Sequence, residues 1–409
     1  MKRIKVGILG TGGIFRGAHL PGYLQVPGVQ IVAMQDVSKD SLLNAERSLK
    51  VAFTSKSEEE EKKGRVGEAR RWKDDLDQVK LYESAEEMLA KEKLDLVDIC
   101  TPPNAHADLS IQALKKGINV MCEKPMAVSY LDCLKVVKAV EETGKFYQHN
   151  ENWIYDPSWY TAKKFIDAGA IGEVLLIFLA AAHGGPEWRG WFWNPEVSGG
   201  GALLDNGVHA ITTSWYLAGF ERKPLRVKTV KPYGLTIRMK KRILEGYYQD
   251  VKVEDDAHII IEYEPLDAKA WVTAHIEGSW SERDSQDTVI IGSNGSISFE
   301  KVEGETILRI EDPWGNVRKI NINKTINYRP GMSSFAGEIK NMCNCILNNV
   351  QPFCDEKIGA TSTALVGAAY LSQIKGMKPV TLKEFEDYAL GFKDKKNELI
   401  KNLMKAVEV

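Results

Sequence analysis

One lysine stands between an acid and a proline at the end of an apolar run, in the string "VMCEKPMAV" at residues 120–128. Val120 and Met121 are typical of a buried strand, and the charged pair Glu123-Lys124 follows before Pro125. Proline fixes its own φ and biases the preceding residue toward extended geometry. A lysine can act as an acid or a base once burial or a neighbouring charge lowers its pKa. Lys124 is therefore a candidate for proton chemistry.

An aspartate and a histidine four residues apart form a second candidate group, Asp205 and His209 in "GGGALLDNGVHAI". On a helix this spacing puts both side chains on one face. Histidine is the usual base near neutral pH, and the aspartate can orient it or hold a substrate hydroxyl. Together with Lys124, the pair could supply the base and the polarising group of an alcohol dehydrogenation. An exposed pair on a capped helix is the alternative.

The elements that must position Lys124 lie in the first 150 residues, where strand and helix patterns alternate. Apolar, β-branched runs predict strands at 3–10, 29–36, 94–102, 117–125 and 145–150. Helix-like segments lie between them, at 41–50, 84–91, 104–116 and 129–143. This alternation indicates a doubly wound parallel sheet with helices on both faces.

The segment from about 54 to 80 interrupts this alternation. It is densely charged with both signs and has few apolar residues. The composition favours an exposed insertion that is partly helical. As the alternative, Arg70, Arg71 and Trp72 could reach a ligand or a neighbouring subunit.

A glycine-rich turn follows the first strand in "VGILGTGGIF", residues 6–15. Gly10 and Gly12 match the first two glycines of a dinucleotide fingerprint, which lets a pyrophosphate approach a helix N-terminus. Phe15 stands where the third glycine is expected, so helix and strand must pack differently there. Asp36 ends the second strand, where an acid binds an adenosine ribose and disfavours a 2′-phosphate. Asp36 could instead be a turn or helix-capping residue.

The third strand delivers polar residues to the same sheet edge, in "TPPNAH" at 101–106. Such strand ends form the ligand crevice of open parallel sheets, although His106 could instead cap a helix. The sequence therefore predicts NAD as cofactor, with NADP as the alternative. The candidate cofactor contacts are Gly10, Thr11, Gly12, Gly13, Ile14, Phe15, Asp36, Thr101, Pro102, Asn104, His106, Glu123 and Lys124.

The chain changes character after residue 148, which predicts domains at 1–148 and 149–409. A helix-like segment at 158–168 precedes a long apolar strand at 172–183. Further strand patterns follow without helices between them, which predicts a largely antiparallel sheet; they lie at 225–231, 257–264, 269–280, 287–292, 296–300, 306–310 and 317–322. Asn294-Gly295 is a hairpin signal. Late helices at about 333–348 and 360–374 could pack back on the first domain.

A tryptophan-rich loop, "PEWRGWFWNPEVSGG" at 186–200, supplies aromatic faces and polar side chains. That combination suits a polyhydroxylated ring, whose faces are apolar and whose rim is polar. Packing in a core or an interface is the alternative for each tryptophan. The candidate substrate contacts are Asn152, Trp153, His183, Arg189, Trp193 and Asn206.

Composition argues against several other classes of partner. Lys and Arg total 54 against 56 Asp and Glu, so the formal net charge of −2 gives no reason to expect nucleic acid or an anionic membrane. No apolar run approaches the roughly 20 residues of a membrane span. The six cysteines show no C-x-x-C spacing, which favours reduced thiols, a cytoplasmic protein and no bound metal.

Five strings in this order resemble the Gfo/Idh/MocA family: "GTGGIF", Asp36, "TPPNAHADLSIQAL", "CEKPMA" and "GGGALLDNGVHAI". The resemblance covers most of residues 1–220. It implies a Rossmann domain, a C-terminal α+β domain with an open-faced, mostly antiparallel sheet, a nicotinamide cofactor and a homo-oligomer, either a dimer or a tetramer. It also implies that Lys124, Asp205 and His209 line the reaction centre. Ile154 stands where many members carry an arginine.

The resemblance thus implies an NAD(P)-dependent oxidoreductase that acts on a secondary alcohol of a sugar, sugar acid or inositol. Two other functions are open at this point. One is a redox-neutral glycosidase that oxidises its substrate only transiently with tightly held NAD. The other is a sensor or corepressor that binds NAD without catalysis.

Overall fold

A computed structural model describes residues 3–229, 234–281, 288–322 and 333–407. In chain order the strands are β1 (Ile4–Leu9), β2 (Val29–Gln35), β3 (Lys80–Tyr82), β4 (Leu96–Ile99), β5 (Asn119–Glu123), β6 (Tyr147–Asn150), β7 (Val174–Ala182), β8 (Pro224–Thr229), β9 (Leu235–Thr236), β10 (Lys241–Leu244), β11 (Tyr247–Asp250), β12 (Asp256–Tyr263), β13 (Val272–Ser279), β14 (Val289–Gly292), β15 (Gly295–Val302), β16 (Glu305–Glu311), β17 (Val317–Asn321) and β18 (Val380–Thr381).

The helices alternate with the strands in the first part of the chain and cluster again at its end. They are α1 (Leu20–Tyr23), α2 (Lys39–Lys62), α3 (Val66–Gln78), α4 (Ala85–Lys91), α5 (His106–Lys115), α6 (Tyr130–Thr143), α7 (Pro157–Asp167), α8 (Pro195–Ser198), α9 (Val208–Ala218), α10 (Ser334–Asn348), α11 (Glu356–Ile374), α12 (Leu382–Leu390) and α13 (Lys396–Met404).

The chain divides into two compact units. The first comprises Met1–Met126, Leu134–Asn152 and Met332–Lys357, and the second comprises Ala127–Cys133, Trp153–Gly331 and Ile358–Val409. The late helix α10 thus belongs to the same unit as the N-terminal strands, whereas most of α11 belongs to the second unit.

The first unit is built on a parallel six-stranded sheet with the order β3-β2-β1-β4-β5-β6. Val6, Ile8, Val97 and Ile99 in its centre are fully buried, as expected for strands covered on both faces. The predicted doubly wound sheet is confirmed. The edge strand β3 escaped prediction because its three residues are too few to show a pattern.

The charged segment at 54–80 is helical and mostly exposed, as predicted, but a few of its residues are buried. Helix α2 runs on to Lys62, and α3 follows it. Trp72 is buried and packs edge-on against Phe53, with ring centroids 4.9 Å apart. The few apolar residues of this segment recur at helical spacing, so they suffice to join both helices to the core.

The second unit contains a larger mixed sheet with the order β17-β16-β15-β14-β7-β13-β12-β8-β18, and β9 pairs with β12. Only β7 and β13 pair in parallel among the described strands of this sheet. The predicted, mostly antiparallel sheet is confirmed, and Asn294-Gly295 lies in the β14–β15 hairpin. Residues 230 and 231 of one predicted strand, and residue 287 of another, lie outside the described residues.

No helix within the described parts of the chain is long and apolar enough to cross a membrane.

Candidate functional site

The glycine turn after β1 requires glycine at its first position. Gly10 has a φ of +88°, which L side chains rarely adopt. A Cβ atom there would lie 2.7 Å from the backbone nitrogen of Thr101 and 2.8 Å from the backbone carbon of Cys100. At Gly12, by contrast, a Cβ atom would have no other atom within 4 Å, so the backbone face there is open. In this turn, packing and the positive φ therefore require glycine at Gly10, whereas Gly12 leaves room for a ligand.

Asp36 binds the glycine turn directly. Its Oδ2 accepts hydrogen bonds from the backbone nitrogen of Thr11 at 2.8 Å and from Thr11 Oγ1 at 3.1 Å. Its Oδ1 accepts from the backbone nitrogen of Ser38 at 2.9 Å, and the Ser38 side chain in turn caps α2. The carboxylate is thus held beside the turn at the carboxyl edge of the sheet, where an adenosine ribose is recognised in folds of this kind.

The helix after the glycine turn is irregular at the position where the third glycine was expected. Phe15 is fully buried and begins a π-turn, Phe15–His19, that leads into α1. A wider helical turn accommodates a large ring where the fingerprint places a small residue. The predicted difference in packing at Phe15 is therefore observed, and Gly13 and Ile14 precede it in the first helical turn.

His106 joins the loop after β4 to the lysine–proline string. Its Nδ1 lies 2.8 Å from the carbonyl oxygen of Pro125, and its Nε2 lies 2.8 Å from that of Thr101. The ring is only 1% exposed, and burial lowers its pKa. His106 thus contacts the main chain of Pro125, the residue that follows the cis Lys124–Pro125 peptide bond. Pro102 and Asn104 are exposed in the same loop.

Glu123 points into a buried cluster that sequence reasoning missed. Its Oε1 lies 2.7 Å from His19 Nε2, while His19 Nδ1 lies 2.8 Å from Asp98 Oδ2. Burial acts to lower the pKa of His19, but the charge of Asp98 prevails and raises it well above its usual value. His19 therefore lies buried between two carboxylates, which favour its protonated form, and it holds Glu123 in place. Lys124, half-buried, follows Glu123 directly at the end of β5.

Glu338 from α10 completes this cluster. Its Oε1 lies 3.8 Å from His19 Nε2, and neither carboxylate oxygen has a hydrogen-bond partner within the described residues. Burial, followed by the charge of Glu123, raises its pKa well above the usual value. Burial beside Glu123 therefore favours the protonated form of Glu338.

Two sets of three potential metal ligands occur among the described residues, and both depend on His19. They are His19, Asp98 and Cys100, and His19, Glu123 and Glu338. Both ring nitrogens of His19 already have carboxylate partners, so these residues form a buried network of ion pairs around His19.

Asp205 and His209 lie in the second unit, Asp205 within a helix irregularity and His209 just after it. A π-turn, Leu203–Gly207, contains Asp205 and continues into α9, where His209 lies in the first turn. The sequence predicted one regular helix here, and π-turns are frequent at functional sites. Asp205 Oδ2 accepts a hydrogen bond of 3.1 Å from the indole Nε1 of Trp280, which is fully buried.

His209 is only 8% exposed and stacks on an aromatic ring. Its ring centroid lies 5.2 Å from that of Trp153, with 7° between the planes, and Trp153 stacks in turn on Trp159. The alternative of an exposed helix pair is therefore wrong for His209. A buried imidazole, four residues after a carboxylate that Trp280 holds, is a candidate for proton transfer.

The predicted substrate contacts fall in different environments. Trp193 is buried against Trp280, with ring centroids 4.8 Å apart, and the guanidinium of Arg242 lies 5.0 Å above its ring. Arg189 is half-buried in the same loop, and His183 Nδ1 accepts a hydrogen bond of 2.9 Å from the backbone nitrogen of Gly185.

Two asparagines among the candidates already have protein partners. Asn206 donates to the carbonyl oxygen of Ala181 at 3.4 Å. Asn152, in the first unit, donates to Ser334 Oγ at 3.1 Å. Their role toward a substrate remains a prediction.

Two family models match the chain and together cover most of it. Residues 4–151 match the Gfo/Idh/MocA model described as "Oxidoreductase family, NAD-binding Rossmann fold". Residues 159–298 match the model described as "GFO/IDH/MocA C-terminal domain".

Curated relatives match about half of the chain. D-glucoside 3-dehydrogenase of Escherichia coli (strain K12) is 24% identical over 53% of this chain and 54% of its own length. Inositol 2-dehydrogenase of Rubrobacter xylanophilus is 28% identical over 53% of each chain. Glycosyl hydrolase family 109 protein 1 of Bacteroides thetaiotaomicron is 28% identical over 47% of this chain and 38% of its own length. The chain thus spans about half or less of the length of these relatives.

A solved structure matches nearly the whole chain. Levoglucosan dehydrogenase, in complex with NADH and levoglucosan, has a TM-score of 0.74 and 19% identity over 93% of this chain and 100% of its own. At this identity, the likeness establishes the fold.

Proposed function

Because the chain belongs to the Gfo/Idh/MocA oxidoreductase family, we propose that it transfers a hydride between NAD and a secondary alcohol of a sugar, sugar acid or inositol. The observation that carries this proposal is the burial of His209 on Trp153, four residues after the anchored carboxylate of Asp205. That environment supports the assignment of His209 as a proton-transfer group rather than a surface residue. The named activities of the glucoside and inositol dehydrogenases support the choice of substrate class.

NAD supplies the hydride acceptor in the oxidative direction. His209 accepts the hydroxyl proton as the hydride leaves the same carbon, so that a ketone forms. Lys124 polarises the oxygen and stabilises its developing negative charge. Asp205 orients the imidazole or holds a second hydroxyl of the substrate. Asp36, fixed beside the glycine turn, favours NAD because its charge repels a 2′-phosphate.

A screen of sugars, sugar acids and cyclitols with NAD and with NADP tests this proposal. Nicotinamide absorbance at 340 nm should rise with at least one polyol, and more strongly with NAD. Binding of NAD without turnover on any polyol would instead favour a sensor or corepressor.

The family 109 relative supports a second candidate, a redox-neutral glycosidase. In that case NAD would stay bound and the hydride would return to the substrate before product release. Cleavage of a glycoside without net change at 340 nm would identify this activity.

We also propose that the protein is a homo-oligomer that pairs through the open face of the second sheet. Half-exposed apolar side chains of β7 and β14 lie on that face, among them Leu176, Phe178, Val289 and Ile291. Light scattering coupled to size exclusion should give a dimer or tetramer, and Phe178→Arg should shift it toward monomer. A monomeric wild-type protein would refute the proposal.

A further inference from the structure

A buried glutamate in the second unit accepts hydrogen bonds from the backbone at the start of the helical segment that carries Asp205 and His209. Glu254 precedes β12 and is fully buried. Its Oε1 accepts hydrogen bonds from the backbone nitrogens of Leu203 at 3.0 Å and Gly201 at 3.2 Å. Its Oε2 accepts from Gly201 at 3.2 Å and from the hydroxyl of Tyr370 at 2.7 Å. The carboxylate thus binds the backbone that leads into the π-turn.

The main chain of Glu254 reinforces this grip. Its carbonyl oxygen accepts a hydrogen bond of 2.9 Å from the backbone nitrogen of Ala202. A Cβ atom on Gly201 would lie 2.0 Å from the same carbonyl oxygen. Only glycine permits this close approach. Three consecutive residues, 201–203, therefore donate backbone hydrogen bonds to Glu254.

The neighbouring residue holds the other side of Asp205. The carbonyl oxygen of Asp255 accepts a hydrogen bond of 2.7 Å from the backbone nitrogen of Trp280. The indole of Trp280 then donates to Asp205 Oδ2 at 3.1 Å. Glu254 therefore fixes the backbone that enters the π-turn, and Asp255 fixes Trp280, which donates a hydrogen bond to the Asp205 carboxylate.

Within the described parts of the chain, no cationic side chain pairs with the Glu254 carboxylate. Among the described residues, Tyr370 from α11 is the titratable side chain bonded to it. The acids beside it are committed elsewhere, Asp255 to Arg242 and Asp256 to Arg238, both at 2.7 Å. Burial raises the pKa of Glu254 to about 7, although the hydrogen bonds act to lower it. Its negative charge, when present, is stabilised by the backbone N–H groups at the helix start.

We propose that Glu254 is a positioning residue that orients Asp205 and His209 by holding the backbone at 201–203. This inference rests on the proposed function only for the roles of Asp205 and His209. The charged carboxylate binds the N–H groups more strongly than the protonated form does. The cost of burying that charge outweighs this gain, since burial raises the pKa of Glu254 to about 7, so the helix start should be held less tightly as the pH rises through neutrality.

Hydrogen–deuterium exchange of the peptide covering 199–209 tests the grip without any substrate. After correction for intrinsic exchange, protection in the wild-type protein should decrease between about pH 6 and 8, because opening of the turn solvates the carboxylate. Glu254→Gln keeps an acceptor oxygen, so it should fold and show protection that no longer changes with pH. Glu254→Ala should exchange at least about tenfold faster at pH 8.

Glu262→Gln is the matched control, because Glu262 lies on β12 but pairs with Arg226 at the surface. It should leave the exchange of 199–209 unchanged. Wild-type protection that does not depend on pH, or equal protection in Glu254→Ala, would overturn the proposal.

Turnover gives a second readout once a substrate is known. The wild-type kcat should fall above about pH 7 with one ionisation that Glu254→Gln removes, while KM for NAD stays constant. If no polyol is turned over, the proposed function fails, but the exchange experiment still decides whether Glu254 holds the turn. The same kcat profile in wild type and Glu254→Gln would contradict the positioning role.

Discussion

Two alanine substitutions in the glycine turn should separate folding from cofactor binding. Gly10 has a φ of +88°, and a Cβ atom there would meet the backbone of Thr101 at 2.7 Å. The conformational cost for a residue other than glycine is roughly 1–2 kcal/mol. Overpacking against backbone that cannot move aside adds about 1–3 kcal/mol. Gly10→Ala should therefore lose about 2–5 kcal/mol of stability.

Gly12→Ala is the matched control for stability. Gly12 does not have a positive φ, and no atom lies within 4 Å of a Cβ atom built there. The free energy of unfolding of Gly12→Ala should therefore stay within about 0.5 kcal/mol of the wild-type value. The new methyl group would, however, occupy the open backbone face that a pyrophosphate approaches, so the affinity for NAD should fall at least about tenfold.

Thermal unfolding without ligand and calorimetric titration with NAD measure the two effects. Gly10→Ala should lower Tm by roughly 5–20 °C, whereas Gly12→Ala should leave Tm unchanged and weaken NAD binding. A Gly10→Ala protein that melts with the wild type would refute the packing argument. A Gly12→Ala protein that binds NAD as tightly as the wild type would refute the location of the cofactor.

Two further predictions concern Glu254 and Asp36. The pKa of Glu254 rises from 4.5 to about 7 on folding, so its contribution to stability is present below about pH 4.5 and lost as the pH rises through 7. Relative to Glu254→Gln, the wild type should lose up to about 3 kcal/mol of its free energy of unfolding over that range. If chemical denaturation gave the two proteins the same dependence of this free energy on pH, the prediction would be contradicted. Asp36→Ser removes the charge that disfavours a 2′-phosphate, so the NADP to NAD ratio of kcat/KM should rise about tenfold or more. A ratio that does not change, with Tm preserved, would show that Asp36 serves only the turn around Thr11 and Ser38.

Much of the candidate site could be predicted because its signals are local in sequence. A glycine turn directly after a strand, and an acid at the end of the next strand, meet at one sheet edge in any parallel fold. Asp205 and His209 likewise share a short segment. These features were visible without knowledge of the tertiary packing.

The residues that sequence reasoning missed act through distant partners. His19 lies 104 positions from Glu123, and Glu254 lies 51 positions from Leu203. Asp98 gave a usable signal, since an acid inside the apolar string "LVDIC" requires a buried partner. Nothing in the sequence identified that partner, because it depends on which helix packs over the sheet.

The tryptophan-rich loop shows the same limit. Its composition suits both a sugar and a hydrophobic core, and only the packing against Trp280 shows that Trp193 is buried. Because the Trp193 ring is buried, it supports the loop.

The central claim is tested most directly by following a deuterium label from the reacting carbon of the best substrate in the polyol screen. With wild-type enzyme, the label should appear in the reduced nicotinamide as the ketone forms. Lys124→Ala should abolish this transfer, while Lys116→Ala, a change of an exposed lysine in the same unit, should leave it intact. Label that never reaches the nicotinamide, or full turnover by Lys124→Ala, would contradict the proposed hydride transfer and the role of Lys124.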